Sequence, residues 1–329
     1  MFQSREVTNA RRHEAFAAYR RKVWERLEIT PFPHQAEWML AGEGYTLLDR
    51  APTAGEHSQL VQLPDGVVTA YACIERVGGP AHVLTDLAAF KAGKSFATAM
   101  FLAGFAAPGI PGGASNVDLI GLEYDTSEPE FDYLTDFLLS DKGMALEFDS
   151  HRKNKKEGAM WITLKDGRAH FEVKSYRASR KSDAMKGKTR DAYAFCEAYQ
   201  LPGLEVYSRI SQNLRQRDGF AVFATTPDRA WVTILHDKAH GADPFWHCVC
   251  GTESSCNPYT FDQAARDRDD PDKGGLMTRE RFDIAWRGKV KRHIGMVYDY
   301  SKDAQMFHPL NMPHLWKPEA ITLASEAIQ

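Results

Sequence analysis

The sequence has little of three things, and each shortage narrows what the chain can do. It has little net charge: 41 Lys+Arg against 44 Asp+Glu leave −3. The chain is therefore no polycation, and an anionic partner has to be met by a local patch. It has no long apolar run. The longest, Phe96 to Ala107, has twelve residues, where a membrane span needs about 20, so no membrane-spanning segment is expected. It has few cysteines, five in 329 residues; the odd number fits reduced thiols in a cytoplasm-like compartment rather than a disulfide scaffold. The opening MFQSREVTNARR is charged and lacks an apolar h-region, which predicts no secretory signal. Apolar residues, by contrast, are plentiful. They make up 43%, with 18 Phe, 12 Tyr and 7 Trp, and exclude intrinsic disorder as the main state. The length allows two domains, or one large one with appendages.

Helical spacing of Phe16, Tyr19, Val23 and Leu27 predicts an amphipathic helix over residues 10–28, rimmed by arginines. Such a helix either docks on the core or receives an acidic partner. Pro31-Phe32-Pro33-His34-Gln35 is a stiff lead into a helix at 36–40. Residues 58–77 read as a hairpin about Pro64-Asp65-Gly66. After Gly78-Gly79-Pro80 strands and helices alternate. Buried strands are predicted within 81–90 and at 117–122, 192–196, 220–224 and 245–249, with helices at 96–106, 131–139, within 203–216 and at 229–239. A second hairpin covers 160–176, a polar basic loop 177–191, and a helix 277–287 precedes a strand at 295–300. This order implies βαβ units and a largely parallel sheet.

Strand, Gly93-Lys94-Ser95, apolar helix is the setting of a phosphate loop. Backbone N–H groups at a helix N-terminus cradle phosphate, a lysine reaches the β/γ-phosphates and a serine holds Mg²⁺. The first glycine of GxxxxGK[ST] is replaced by Ala88, and Lys91 adds a second cation. Hydrolysis needs a carboxylate at the end of a neighbouring strand to position water. Glu197, directly after AYAFC, fits that need. Thr225-Thr226-Pro227 ends the next strand, with hydroxyls suited to sensing the γ-phosphate or to capping a turn.

These residues, in this order, resemble the large terminase subunit of tailed bacteriophages, the ATP-driven DNA-packaging motor. Pro33-His34-Gln35 resembles its adenine-reading Gln motif. Phe90-Lys91-Ala92-Gly93-Lys94-Ser95 resembles its deviant Walker A, VDLIGLEYD (117–125) its next core strand, and Lys186-Gly187 with DAYAFCEA (191–198) its Walker B stretch. GFAVFATTP (219–227) resembles its coupling motif, and Cys256-Asn257-Pro258 the Asn-Pro after the last core strand. The resemblance spans about residues 30–300 and implies an α/β fold, a P-loop NTPase of the additional-strand (ASCE) type. It implies ATP and Mg²⁺ as cofactors. Nucleotide would be bound by Gln35, Lys91, Ala92, Gly93, Lys94, Ser95 and Phe96, with Ser95 on the metal. Glu197 and Lys94 would be catalytic, Thr225 and Thr226 coupling. Cys196 stands where the family's Walker B has Asp.

The same resemblance implies that Lys186 would be catalytic as a trans-acting cationic finger, with Arg180 and Arg190 as nearby alternatives. Lys174, Arg177, Arg180 and Lys181 form one basic stretch and residues 152–156 another; either suits sequence-independent phosphate contact. The implied partners are double-stranded DNA, the procapsid portal, the small terminase subunit and further copies in a pentameric ring, in the host cytoplasm. The expected division is an ATPase domain over 1–256, a linker region over 257–294 and the start of a nuclease-like domain over 295–329. That remainder is too short for a nuclease's acidic cluster, so a truncated chain, or one whose nuclease lies elsewhere, is expected, with no DNA cleavage by this chain alone. Two alternatives stay open: a helicase-like P-loop translocase, and a non-catalytic zinc-containing nucleic-acid module built on His247, Cys248, Cys250 and Cys256.

Overall fold

The computed structural model describes residues 5–179, 188–252 and 271–290. By internal contact the chain divides into units 1–291 and 292–329, and the described residues belong to the first. Lys186, Arg180, Lys181, Cys256, Asn257-Pro258 and the strand expected at 295–300 lie outside the described residues.

An eight-stranded sheet organises this unit. Its strands are β4 (Val83–Ala88), β5 (Ser115–Gly121), β6 (Phe148–Asn154), β7 (Ala159–Leu164), β8 (Ala169–Ser175), β9 (Ala192–Cys196), β10 (Phe220–Thr225) and β11 (Trp246–Thr252). They lie in the order β11-β4-β10-β9-β5-β8-β7-β6. The six strands from β11 to β8 are mutually parallel; β7 and β6 continue antiparallel as a meander. One strand, β10, is inserted between β4, which leads into the phosphate loop, and β9, which ends at Glu197. That insertion defines the additional-strand P-loop class, as expected.

Strand periodicity explains why both faces are covered. Along β9, Ala192, Ala194 and Cys196 turn to one face, Tyr193 and Phe195 to the other. Along β10, Phe220 and Val222 join the first set, Ala221 and Phe223 the second. The first face packs against α1 (Arg5–Arg26), α2 (Pro33–Glu43), α3 (Lys94–Ala103) and α4 (Glu128–Leu139). The second packs against α6 (Glu205–Ile210) and α7 (Ala230–Ala239), where Phe195 and Phe223 stack 4.3 Å apart. A short turn of helix, α5 (Tyr176–Ser179), follows β8. A helix here called α8 (Arg279–Arg287) packs Phe282, Ala285 and Trp286 against Phe90.

The hairpin at 58–77 forms as β2 (His57–Gln62) and β3 (Val68–Glu75), but it gains a third strand, β1 (Tyr45–Leu48), giving the order β1-β3-β2. Helix α1 takes the core-docking reading. Arg12 is buried against Asp191, and Arg20 pairs with Glu43 (2.5 Å) while lying 4.1 Å from the Phe101 ring. Its key arginines thus point inward, away from any acidic partner. No described helix is long and apolar enough to cross a membrane.

Candidate phosphate site

The loop between β4 and α3 closes over the carboxyl end of the sheet, where α/β folds bind ligands. Two residues take left-handed backbone: Lys91 (φ 61°) and Gly93 (φ 83°). Gly93 has a further reason to be glycine, because a Cβ there would sit 2.6 Å from Gln35 Nε2. Helix α2 holds the loop. His34 Nε2 donates to Ala92 O (3.0 Å) and Gln35 Nε2 donates to Gly93 O (3.2 Å), while Gln35 Oε1 accepts from Phe32 N (3.0 Å). Burial lowers the His34 pKa to about 4, against the opposing effect of its bond to Ala92. The ring is neutral and donates. Both ends of the Gln35 amide are engaged with backbone, so in this arrangement it braces the loop.

Lys94 begins α3 and is buried. Its Nζ donates to Ala89 O (2.7 Å), Ala88 O (3.2 Å) and Thr226 Oγ1 (3.4 Å). The loop lysine and the threonine that follows β10 are thereby in direct contact. Thr225 accepts from Tyr199 N (2.8 Å) on the segment just after Glu197, so both threonines are bonded to site elements. Phe90 N donates to Ala285 O (2.7 Å), which ties α8 to the loop. Ala92 is buried, Lys91 exposed and Ser95 half-buried. The Phe96 ring meets Tyr133 (5.4 Å) and Phe137 (5.2 Å) edge-on and so clamps α4 against α3.

Glu197 leaves β9 in a left-handed conformation, φ 42° and ψ 53°. Non-glycine residues adopt it at a cost of about 1–3 kcal/mol, and such strain gathers at functional sites. Its Oε2 is buried with no hydrogen-bond partner. Cys196 faces the α3–α4 side, as alternation requires. Burial first, and then neighbouring Glu130, raise its thiol pKa well above the ordinary value. It stays protonated and cannot replace the missing aspartate as an anion.

Sequence reasoning missed the acid that stands beside it. Glu130, three residues into α4, is 1% exposed. Its carboxyl interacts with the side chains of Ser95 and Cys196 and with the charge on Glu197. Burial raises its pKa to about 7, against the opposing interactions with Ser95 and Cys196. Its Oε2, like that of Glu197, has no hydrogen-bond partner. Acids in a helix's first turn ordinarily complement the helix dipole, so nothing local marked this one. A second buried acid, Asp86 on β4, is raised to about 7 by burial, with Lys94 opposing.

The basic stretches are less available than their composition suggested. Lys174 pairs with Glu172 and Arg177 with Glu123. In β6 and the turn after it, Arg152 pairs with Glu157, Lys153 with Glu128 and Asp132 (2.8 and 2.6 Å), and Lys155 with Asp125 and Glu128 (2.7 and 2.8 Å). Arg190 is buried against Asp118 at 2.8 Å, which removes it as a finger directed at another subunit. Of the alternative zinc set, Cys256 lies outside the described residues, and the members on β11 are divided by the pleat. His247 faces Glu37 of α2 (3.5 Å), whereas Cys248 and Cys250 alternate to the opposite face.

No protein-family model matches the sequence, and no curated protein sequence matches it. Solved structures do. The Thermus phage P74-26 large terminase ATPase domain is 15% identical, with 64% of this chain covering 89% of that domain at a TM-score of 0.48. The HK97 bacteriophage large terminase is 14% identical, with coverage of 64% and 47% and a TM-score of 0.44. The large terminase of the thermophilic bacteriophage D6E, solved in complex with ADP, is 12% identical, with coverage of 72% and 50% and a TM-score of 0.47. The chain thus spans nearly all of an isolated ATPase domain and about half of the longer proteins. These are likenesses of fold alone; it is the strand order of the chain itself, with β10 between β4 and β9, that is the order of an additional-strand P-loop domain.

Proposed function

We propose that the chain is the ATPase of a viral DNA-packaging motor, hydrolysing ATP to drive double-stranded DNA into a procapsid. One observation carries the ATPase reading. Lys94, Ser95, Glu130, Glu197 and Thr226, from four different elements, converge at the carboxyl ends of β4, β10 and β9. The packaging role rests on the order of sequence motifs. Work in the host cytoplasm, docked on a portal with the small terminase subunit in a pentameric ring, belongs to the same proposal.

The donor set fits Mg²⁺, a hard cation that takes oxygen ligands through one or two carboxylates and substrate phosphates. Two buried carboxylate oxygens lack partners beside a serine hydroxyl. Ser95 and Glu130 would hold the ion, Glu130 supplying the charge that Cys196 does not. When bound, Mg²⁺ neutralises charge developing on the transferred phosphoryl group. Lys94 exchanges its loop carbonyls for β/γ-phosphate oxygens. Glu197 accepts a hydrogen bond from the attacking water and orients it for in-line displacement. Loss of the γ-phosphate returns Lys94 to Ala88, Ala89 and Thr226, and so passes the nucleotide state to β10.

Steady-state ATP hydrolysis, with and without double-stranded DNA, tests this reading. Lys94→Ala is expected to abolish nucleotide binding. Glu197→Gln is expected to retain binding and lose turnover by about 10²–10⁴-fold, the span of general-base contributions. Full turnover in either variant would end the proposal.

A further inference from the structure

Helix α7 and strand β11 carry a cluster that the nucleotide site does not use. His236 and His240 stand four residues apart, so they share one helix face. Cys250 approaches that face from β11, and ligand atoms of all three lie within 4.8 Å of one another. Cys248 lies two residues earlier on the same face of β11, and its Sγ donates to Val249 O at 3.5 Å. The imidazoles are already oriented. His236 Nδ1 lies 3.4 Å from Asp237 Oδ1, and His240 Nδ1 donates to His236 O at 2.8 Å. Their Nε2 atoms are thus left as the lone-pair nitrogens. Metal-bound histidines characteristically have their second nitrogen held by a carboxylate or carbonyl in this way.

We propose that His236, His240 and Cys250, with Cys248 completing the shell, bind a zinc ion that staples α7 to β11. Thiolate and imidazole together select zinc over the hard cations. Bond lengths of about 2.0–2.3 Å in a tetrahedron require ligand atoms about 3.3–3.8 Å apart. Closing from 4.8 Å is within the reach of side-chain rotation on two packed elements. The set differs from the zinc module considered from sequence: two histidines on a helix, invisible to a Cys-centred search, replace His247 and Cys256. The site's place in the chain gives it a purpose. Helix α7 directly follows Thr225-Thr226-Pro227, and β11 pairs with β4. The ion would join the element leaving the coupling strand to the neighbour of the phosphate-loop strand. The inference stands independently of the ATPase reading.

Metal analysis of the full chain purified without chelator is expected to find one zinc per chain. Replacement by Co²⁺ is expected to give tetrahedral d–d bands with a near-ultraviolet thiolate charge-transfer band. Cys250→Ser and His236→Ala should each weaken metal binding by at least about 10–100-fold, and Cys248→Ser should reduce the charge-transfer band. Lys94→Ala should keep full metal content. Wild-type protein that is metal-free and gives no tetrahedral spectrum on adding Co²⁺ would overturn the proposal. So would zinc retained undiminished by folded Cys250→Ser. The wild-type spectrum decides the matter even if a variant fails to fold.

Discussion

Replacing Glu130 by glutamine should stabilise the nucleotide-free protein while damaging the proposed Mg²⁺ site. Glu130 is buried, and its pKa rises from 4.5 to about 7, chiefly through desolvation. At about 1.4 kcal/mol for each tenfold change, the ionised carboxylate costs the fold about 3 kcal/mol. The protonated form is the one the fold favours. Its contribution is present in full below the unfolded value, is lost as pH rises from 4.5 toward 7, and is absent above that. Glutamine has nearly the same shape and never ionises. Chemical denaturation near pH 8 should therefore show Glu130→Gln more stable than wild type by about 3 kcal/mol or somewhat less, since relaxation softens buried charges. Near pH 5 the two should converge. Mg²⁺ with ADP should reverse the ranking, because the variant lacks the anion that gives the cation a reason to bind there. Equal stability at both pH values, or a variant weaker near pH 8, would refute the claim that a buried, unneutralised carboxylate waits beside Ser95.

Four other outcomes follow from the geometry. Gln35→Ala should weaken ATP and GTP binding by similar factors in fluorescence titration, because Gln35 braces Gly93; a loss confined to adenine nucleotides would refute this and support base reading by Gln35. Gly93→Ala forces a left-handed alanine and a Cβ 2.6 Å from Gln35 Nε2, so thermal melts should show about 1–3 kcal/mol of destabilisation together with lost nucleotide binding. Arg12→Ala removes one of three partners of buried Asp191 and leaves it Arg217 (2.6 Å) and Asn116 N (2.8 Å); denaturation should reveal a loss of about 1.5–3 kcal/mol, the range for a hydrogen bond to a charged group. Lys153→Ala should change DNA affinity little in a salt titration, since its charge is matched by Glu128 and Asp132.

Elements whose apolar runs exceed what a surface tolerates were readable without coordinates. Strands β9 and β10 are buried along their whole length, so AYAFC and FAVFAT announce themselves as interior strands, and the glycine, lysine and serine after β4 complete the loop. The missed strands have the opposite character. The β6 sequence FDSHRKN is an exposed edge whose charges guard against unwanted pairing, and its lysines read as a phosphate patch because their acidic partners come from 125, 128 and 132. Glu130 was hidden because burial is a tertiary property: only the packing of Phe96 on Tyr133 and Phe137 turns that part of α4 toward Ser95. His247 looked like a companion of Cys248 and Cys250 because adjacency in sequence says nothing of the pleat, which sends neighbours to opposite faces.

The bond from Phe90 N to Ala285 O ties loop shape and the position of α8 into one equilibrium. Under the proposed function, whatever factor nucleotide binding imposes on that grip, a load borne by the chain after Arg287 must impose equally on nucleotide affinity, by thermodynamic reciprocity. Tension there would then register at the proposed phosphate site as a changed dissociation constant, making the loop a strain gauge.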